Sequence, residues 1–258
     1  LRHMKRNKSY AAINIFGFSI GLACCIAIFF YVNKETSYDT FHSKSERIYR
    51  AINIMSRSSK VLSWASTPPA LAPAINDGFP SIEKVTRLRS SDDHYFSVGE
   101  NTFYEKSLSY ADSMFFDIFD FKLLSGNPKN ALSEPNSVVL TENLAFKYFG
   151  ERLPIGKILT MDNQTPLKVT GILAPIEDSH INFDILISFS TYRVPQGYLA
   201  DMNSWTWMGF NTYVLLKENQ DVESLEDQIT KLYLEKDERL INLKLEAQLQ
   251  PLSDVYLG

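Results

Sequence analysis

Cysteine is nearly absent from this 258-residue chain, and the two that occur, Cys24 and Cys25, are neighbours inside one apolar run. No residue after Val32 is a cysteine, so no disulfide staples that part, which must stand on its core alone. Histidine is scarce as well. His3, His42, His94 and His180 are isolated, with no second ligand four residues on and no HExxH, which argues against a metal centre. A GxSxG nucleophile elbow is missing. The nearest thing to a phosphate loop, Gly150-ERLPI-Gly156-Lys157, has five residues between its glycines and Ile158 where a magnesium-binding hydroxyl belongs, so it reads as a turn into a strand. Carboxylate pairs at Asp117 and Asp120, and at Glu177 and Asp178, lie among polar residues where turn or cap roles outweigh acid–base catalysis.

Charge of one sign is missing from two stretches. Residues 11–32 (AAINIFGFSIGLACCIAIFFYV) carry no charge at all, and the first ten residues hold Arg2, Lys5, Arg6 and Lys8 but no acid. The whole chain has a net charge of -4, which leaves -8 for everything after Val32. An acidic remainder without a basic run excludes nucleic acid as a partner. At about 1.5 Å per residue the uncharged run makes a helix about 33 Å long, enough to cross a hydrocarbon core of about 30 Å. Short basic flanks stay in the cytoplasm, so the N-terminus is expected inside and the long acidic part outside. A cleaved signal peptide, even a lipoprotein signal ending at Cys24 or Cys25, is the rival. The apolar run continues past both cysteines, where a cleaved core of about 7 to 15 residues has no reason to go on, so a retained anchor is the preferred reading. Gly17 and Gly21 form a GxxxG through which a second helix could approach closely.

With 45% hydrophobic residues the rest can bury a core. Residues 47–57 (RIYRAINIMSR) alternate as a half-buried strand does, Thr67-Pro68-Pro69 supply a cap and early-turn prolines for a helix over residues 70–77, and residues 82–88 make a second strand. A matching unit closes the chain: strand 210–217, a helix capped by Asp221, and strand 242–250. Two strand–helix–strand units around a long insert favour a split ferredoxin-like layer over two independent sheets. The insert, residues 93–206, is strand-rich. It has expected hairpins at 94–98 with 102–108 and at 157–161 with 167–172, a short helix at 113–119, short strands at 137–140 and 183–189, and a helix at 142–149 capped by Thr141 and stopped by Gly150. Trp205, Trp207, Phe210 and Tyr213 at a strand start read as core rather than as an aromatic binding patch.

These segments carry a family resemblance. NIFGFSIGLACCIAIFFYV with ETSYDTFHSKSERIYR, FFDIFDFKLLSGNPKNAL, PNSVVLTENLAFKYFG, PIGK, VTGILAPIEDSHINFDILISF, TYVLLK and LQPLSDVYL resemble, in order, the N-terminal half of MacB-like ABC transporter permeases of the type abundant in Bacteroidota. The resemblance implies an α+β fold: a transmembrane helix (residues 11–32) and stalk within residues 1–43, then a periplasmic domain. That domain would have a split ferredoxin-like, porter-like lobe (residues 44–92 and 207–258) and an inserted strand-rich lobe (residues 93–206). It also implies a non-catalytic permease subunit of an export-type transporter in the bacterial inner membrane, moved through its stalk helices by a cytoplasmic ATPase. ATP and magnesium would sit on that partner and no cofactor on this chain. Other implied partners are the lipid bilayer, a second permease as homo- or heterodimer, and a periplasmic adaptor protein. The family pattern continues after LQPLSDVYL with three further helices, which are expected beyond Gly258. The alternatives are a sensor or ligand-binding ectodomain anchored by one helix, and a secreted or lipid-anchored enzyme.

Overall fold

The computed structural model describes residues 8–35, 37–57, 60–176, 178–193 and 201–256. His3, most of the basic flank and Glu177 lie outside the described residues. The apolar run forms a single helix, α1 (Lys8–Glu35), which overshoots the uncharged stretch by a few residues at each end. After a 3₁₀ turn at Ser45–Arg47 the chain enters a mixed sheet. Its strands are β1 (Ile48–Arg57), β2 (Lys60–Trp64), β3 (Ile82–Ser91), β4 (His94–Val98), β5 (Asn101–Glu105), β6 (Leu108–Ala111), β7 (Leu123–Gly126), β8 (Ser137–Thr141), β9 (Ile158–Met161), β10 (Thr165–Leu173), β11 (Ile185–Ser188), β12 (Asn211–Leu216) and β13 (Leu245–Pro251). The helices are α2 (Leu71–Gly78), α3 (Phe115–Ile118), α4 (Glu142–Phe149), α5 (Val222–Lys236), α6 (Arg239–Asn242) and α7 (Leu252–Val255).

Strand order is β13-β1-β12-β3-β6-β11-β8-β10-β9-β4-β5, with β2 beside β1 and β7 beside β10. The first four strands are mutually antiparallel and come from two interleaved strand–helix–strand units, which is the split ferredoxin-like layer. Side chains alternate across it. Val214 and Leu216 face a core closed by Leu71 and Ile75 of α2 and by Leu225, Ile229 and Tyr233 of α5, while Tyr213 and Leu215 face the other side. Asp221 caps α5 as expected, its carboxylate accepting from the Ser224 N–H at 3.2 Å. Helix α5 also closes the sheet edge. The Ala247 N–H donates to Thr230 Oγ1 (2.9 Å) and the Leu249 N–H to Glu226 Oε1 (2.7 Å), so β13 does not offer those donors to another chain.

The insert extends the same sheet, because β3 is long enough to pair twice. Residues 82–88 bond to β12 and residues 88–91 to β6, with Leu88 opposite both Asn211 and Ala111. Strands β8 and β11 are buried at every position, as continuous apolar strands covered on both faces should be. One core spans the join. Ile48, Tyr213 and Leu215 meet Ala111, Val139, Leu173 and Leu186 beneath Phe115, Phe119, Phe121 and Phe183. Phe115 and Phe121 stack nearly parallel at 5.5 Å.

Several local expectations need correction. The expected strand 102–108 is two: β5 stops at Glu105, and Ser107 redirects the chain by accepting the Asp184 and Ile185 N–H groups (2.9 and 3.1 Å) before β6 begins. Thr67 does not cap α2, whose N-cap is Ala70, and Thr141 holds the N-cap position of α4 without a side-chain bond to its first turn. Thr67 is fully buried, and its hydroxyl donates to the Phe210 carbonyl (2.8 Å) and meets Thr212 Oγ1 (2.7 Å), tying the α2 approach to β12. Thr141 donates to Asp184 instead (3.4 Å). Strand β2 was unforeseen. The turn reading of residues 150–157 fits: Gly150 ends α4 at φ 68° and Gly156 turns at φ 84° into β9.

Gly126 is the position where the backbone leaves no room. It sits at φ 98° opposite Gly171, and an added Cβ would lie 2.4 Å from the Thr170 carbonyl oxygen. Gly126→Ala is therefore expected to cost at least about 2 kcal/mol, read as a lower urea midpoint at unchanged m-value. Unfolding within about 0.5 kcal/mol of the parent, on the scale of a neutral surface change, would contradict this packing.

Candidate functional site at the foot of the apolar helix

Helix α1 is apolar all round: within residues 12–35 an 18-residue window has a mean hydropathy of 2.4, and none of it is buried. It is long and apolar enough to cross a membrane. At Gly17 and Gly21 an added Cβ would find nothing within 4 Å, so the small-residue face is open in this chain. Below the helix, polar and aromatic residues make a series of tight turns. Ser37 Oγ donates to the Lys34 carbonyl and Thr40 Oγ1 to the Ser37 carbonyl, each at 2.8 Å.

Asp39 is the central residue of these turns. It adopts φ 58°, a left-handed conformation that Asp and Asn tolerate better than most residues, and it is 2% exposed. Its N–H donates to the Asp178 carbonyl (2.7 Å). Its carboxylate accepts from Ser179 Oγ (2.7 Å), from the His180 N–H (3.3 Å) and from His180 Nδ1 (2.6 Å). With Nδ1–H committed to Asp39, His180 Nε2 accepts the Tyr213 hydroxyl of β12 at 2.9 Å. Burial pushes the Asp39 carboxyl up, but the hydrogen bonds from His180 and Ser179 outweigh it, so the group lies below the ordinary carboxylate value and is ionised. Burial also pushes the Tyr213 hydroxyl well up, which keeps it a donor.

A second anchor lies three residues on. His42 is 1% exposed, with its ring within 4.0 to 5.3 Å of the Phe41, Phe119 and Phe121 rings. Its Nδ1 accepts the Asp120 N–H (3.0 Å), which places the neutral ring's proton on Nε2, 3.8 Å from Asp39 Oδ1. Burial lowers its pKa to about 4, so the ring is neutral around pH 7. Next to it the Ser43 N–H and Oγ both donate to Asp120 Oδ2 (2.5 and 2.7 Å), and Lys44 Nζ donates to the Asp117 carbonyl (3.1 Å). Lys34, in the last turn of α1, forms an ion pair with Asp178. Tyr38 stacks on Tyr256, past the last strand, at 3.5 Å. The residues just after the helix thus touch loop 117–121, loop 178–180 and the segment after α7, and reach strand β12 through His180. An open cleft of about 370 Å³ adjoins the node, walled by Ser37, Thr40, Phe41, Phe121, Ile176 and Asp178.

The structure brings His42 and His180 to one carboxylate, although no spacing in the sequence links them. Asp117 and Asp120 are tethers rather than solvated caps: Asp120 holds Ser43, and Asp117 pairs with Lys84. Asp39, Ser179 and Tyr256 do not stand out in the sequence, where the only local signal is an aspartate between two aromatics in SYDTF. Chemically the node binds and orients. The Asp39–His180–Tyr213 line has a proton-relay order, but its side chains are 2% and 8% exposed at Asp39 and His180, with Tyr213 at 2%, so no reacting group reaches it. His94 has a different task. Its Nδ1 meets Asp162 Oδ2 (2.6 Å) and its Nε2 meets Ser91 Oγ (3.0 Å), while Asp162 Oδ1 takes the Tyr95 N–H (3.0 Å), fastening the β4–β5 hairpin to the β9–β10 turn. The four aromatics form no single patch. Tyr213, Phe210 and Trp205 belong to three different clusters, and Trp207 packs edge-on to Phe210 at 5.2 Å. Among the described residues no group of three or more His, Cys, Asp or Glu has the arrangement of a metal site.

The family model of the MacB-like periplasmic core domain matches residues 11–232. The chain belongs to that family. The match begins inside α1 and runs into α5, so the node lies within the family's domain. Solved structures share the MacB-like fold. A domain of a permease protein from Porphyromonas gingivalis matches with a TM-score of 0.68 at 22% identity, covering 81% of this chain and 91% of that one. The periplasmic region of MacB from Actinobacillus actinomycetemcomitans gives 0.52 at 19%, covering 79% and 89%. The extracellular domain of the noncanonic ABC-type transporter YknZ from Gram-positive bacteria gives 0.53 at 16%, covering 79% and 99%. No curated protein matches the sequence. An apolar N-terminal helix joined to a MacB-like periplasmic domain fits an inner-membrane protein.

The node's contribution to folding is testable. Asp39→Ala removes every acceptor bond of the carboxylate and places alanine at positive φ, so it should cost about 3 kcal/mol in urea unfolding. Asp39→Asn, which keeps an acceptor and tolerates the turn, should recover at least half of that. Equal losses for the two variants would show that the bonds to Ser179 and His180 do not matter.

Proposed function

We propose that this chain is the first membrane helix and periplasmic core of an export-type ABC transporter permease, and that the node around Asp39 passes movements of α1 to the sheet. The observation that carries the reading is the buried, ionised Asp39. It lies four residues beyond the helix end and is bonded through His180 to a central strand of the ferredoxin-like layer. A lever needs such a joint, because directional hydrogen bonds resist sliding where apolar contacts tolerate it. The fold shared with MacB and YknZ domains supports the assignment, and so does the short basic flank before the apolar run, which favours a cytoplasmic N-terminus and a periplasmic sheet. On this reading ATP and magnesium bind a separate cytoplasmic ATPase, a periplasmic adaptor is a further partner, and the lobes of residues 44–92 with 207–258 and of residues 93–206 move together.

A second permease would pack against Gly17 and Gly21. Cys24 and Cys25 lie seven or eight residues beyond Gly17, close to the same helix face, and serve as native reporters. Oxidative crosslinking of membranes should link α1 to a partner helix through them, and Gly21→Ile should cut the yield several-fold. An unchanged yield would remove the glycine face from the interface.

The coupling itself is tested with the permease and its ATPase in nanodiscs, Cys24 and Cys25 replaced by serine, and spin labels at exposed position 129 of each copy. Trapping with ATP and vanadate is expected to shift the inter-label distance in the parent and not in His180→Ala, while both hydrolyse ATP when vanadate is left out. A full shift in the variant would sink the coupling role.

A further inference from the structure

His42 is a buried titratable group whose burial the coupling role does not by itself require. The atom that would take up a second proton, Nδ1, is the atom that accepts the Asp120 N–H, at 3.0 Å. Protonation there sets two donors face to face and breaks the one hydrogen bond between this ring and loop 117–121. The ring's other nitrogen, Nε2, points towards Asp39 Oδ1 at 3.8 Å without a hydrogen bond, and is buried. Three aromatic rings surround it, a setting suited to a neutral imidazole and costly for an imidazolium.

We propose that His42 is an acid-operated latch: a proton at Nδ1 frees the ring from the Asp120 N–H and leaves residues 40–44 tied to loop 117–121 only through Ser43 and Lys44, while the Asp39–His180–Tyr213 bonds keep the helix foot on β12. Opening therefore loosens one of two anchors and leaves the other. The charged and titratable groups facing His42 are Asp39 on its own segment, Asp120 on the loop after α3, and His180 on the loop before β11, with Tyr213 of β12 and Arg50 of β1 behind His180. Burial holds the ring neutral and outweighs the attraction of Asp39 and Asp120. The folded, latched state has a pKa of about 4 against an ordinary value of 6.5, so the open state binds more protons. Latching is therefore complete above pH 6.5 and lost as pH falls towards 4. The significance for transport rests on the coupling role proposed for the node; the latch does not.

Hydrogen exchange of the full chain in detergent, without ATPase, tests it. Rates are corrected for intrinsic exchange and followed from about pH 7 to about pH 4.5 in peptides covering residues 39–44 and 117–123. The opening constant there should rise about tenfold per pH unit below about pH 6.5, as uptake of one proton requires, while strand β8 stays protected. His42→Asn, which keeps an acceptor for the Asp120 N–H but does not titrate, should give a flat profile. His42→Phe, which fills the ring cage, should do the same if the asparagine variant folds poorly. A flat profile in the parent, simultaneous loss of protection in β8, or a persisting acid response in the variants would each overturn the latch. If the exchange behaves as expected and the ATP-linked distance shift is absent, the latch stands and the coupling role fails.

Discussion

An ionised carboxylate out of water is the constraint on which the stalk foot depends. Removing Asp39 from solvent costs several kcal/mol, and only a full set of donors offsets that. Ser179, the His180 N–H and the His180 ring supply the set, and all three come from one turn just before β11. The left-handed φ at Asp39 turns its own N–H towards the Asp178 carbonyl, so backbone and side chain grip the same turn from two sides. Because leaving any of these groups unpaired is expensive, the contacts form together or not at all. Lys34 adds to the same place, since its pairing with Asp178 puts a cation at the negative end of α1.

What the node grips is itself hard to deform. Strand β12 lies between β1 and β3, Tyr213 packs edge-on to Phe119 at 5.2 Å, and Phe119 belongs to the same aromatic group that surrounds His42. The two anchors therefore converge on one core. That core also crosses from the ferredoxin-like layer into the insert, and β3 is bonded on both sides of the crossing. Close-packed interiors transmit displacement rather than absorb it, so on the proposed coupling role a push delivered at Asp39 would reach Leu186 and Val139 as well as β12.

The periodic parts of this architecture were legible in the sequence. Alternation marked β1 and β13, strand-like runs marked β3 and β12, a capping aspartate marked α5, and glycine marked the end of α4, because each depends on residues within a few positions of one another. Seeing the same unit twice favoured a split layer, whose order in the structure is β13-β1-β12-β3. The join at β6 was not legible, since a pair of polar residues, Lys106 and Ser107, looks like the continuation of a strand until the Ser107 carbonyl is found to receive two donors from residues 184 and 185. Thr67 misled for a similar reason. A threonine before two prolines carries a strong local cap signal, and a tertiary contact to Phe210 and Thr212 overrode it. The node itself was invisible, because Asp39 and His180 are 141 residues apart and each looks ordinary alone.

That distance explains why histidine could be misjudged from its isolation. Spacing rules detect ligands or catalytic groups that share a helix or a loop, whereas a joint between a helix and a domain must, by its nature, join residues remote in sequence. Apolar residues could have made such a joint at lower desolvation cost, and replacing buried ion pairs with them is often neutral or stabilising. Apolar packing fixes separation but leaves rotation about the helix axis weakly determined, since many rotamers fill the same space. A carboxylate with three donors at fixed angles determines rotation as well. A joint that has to convey turning, and not only thrust, therefore has a physical reason to bury a charge where mere adhesion would not.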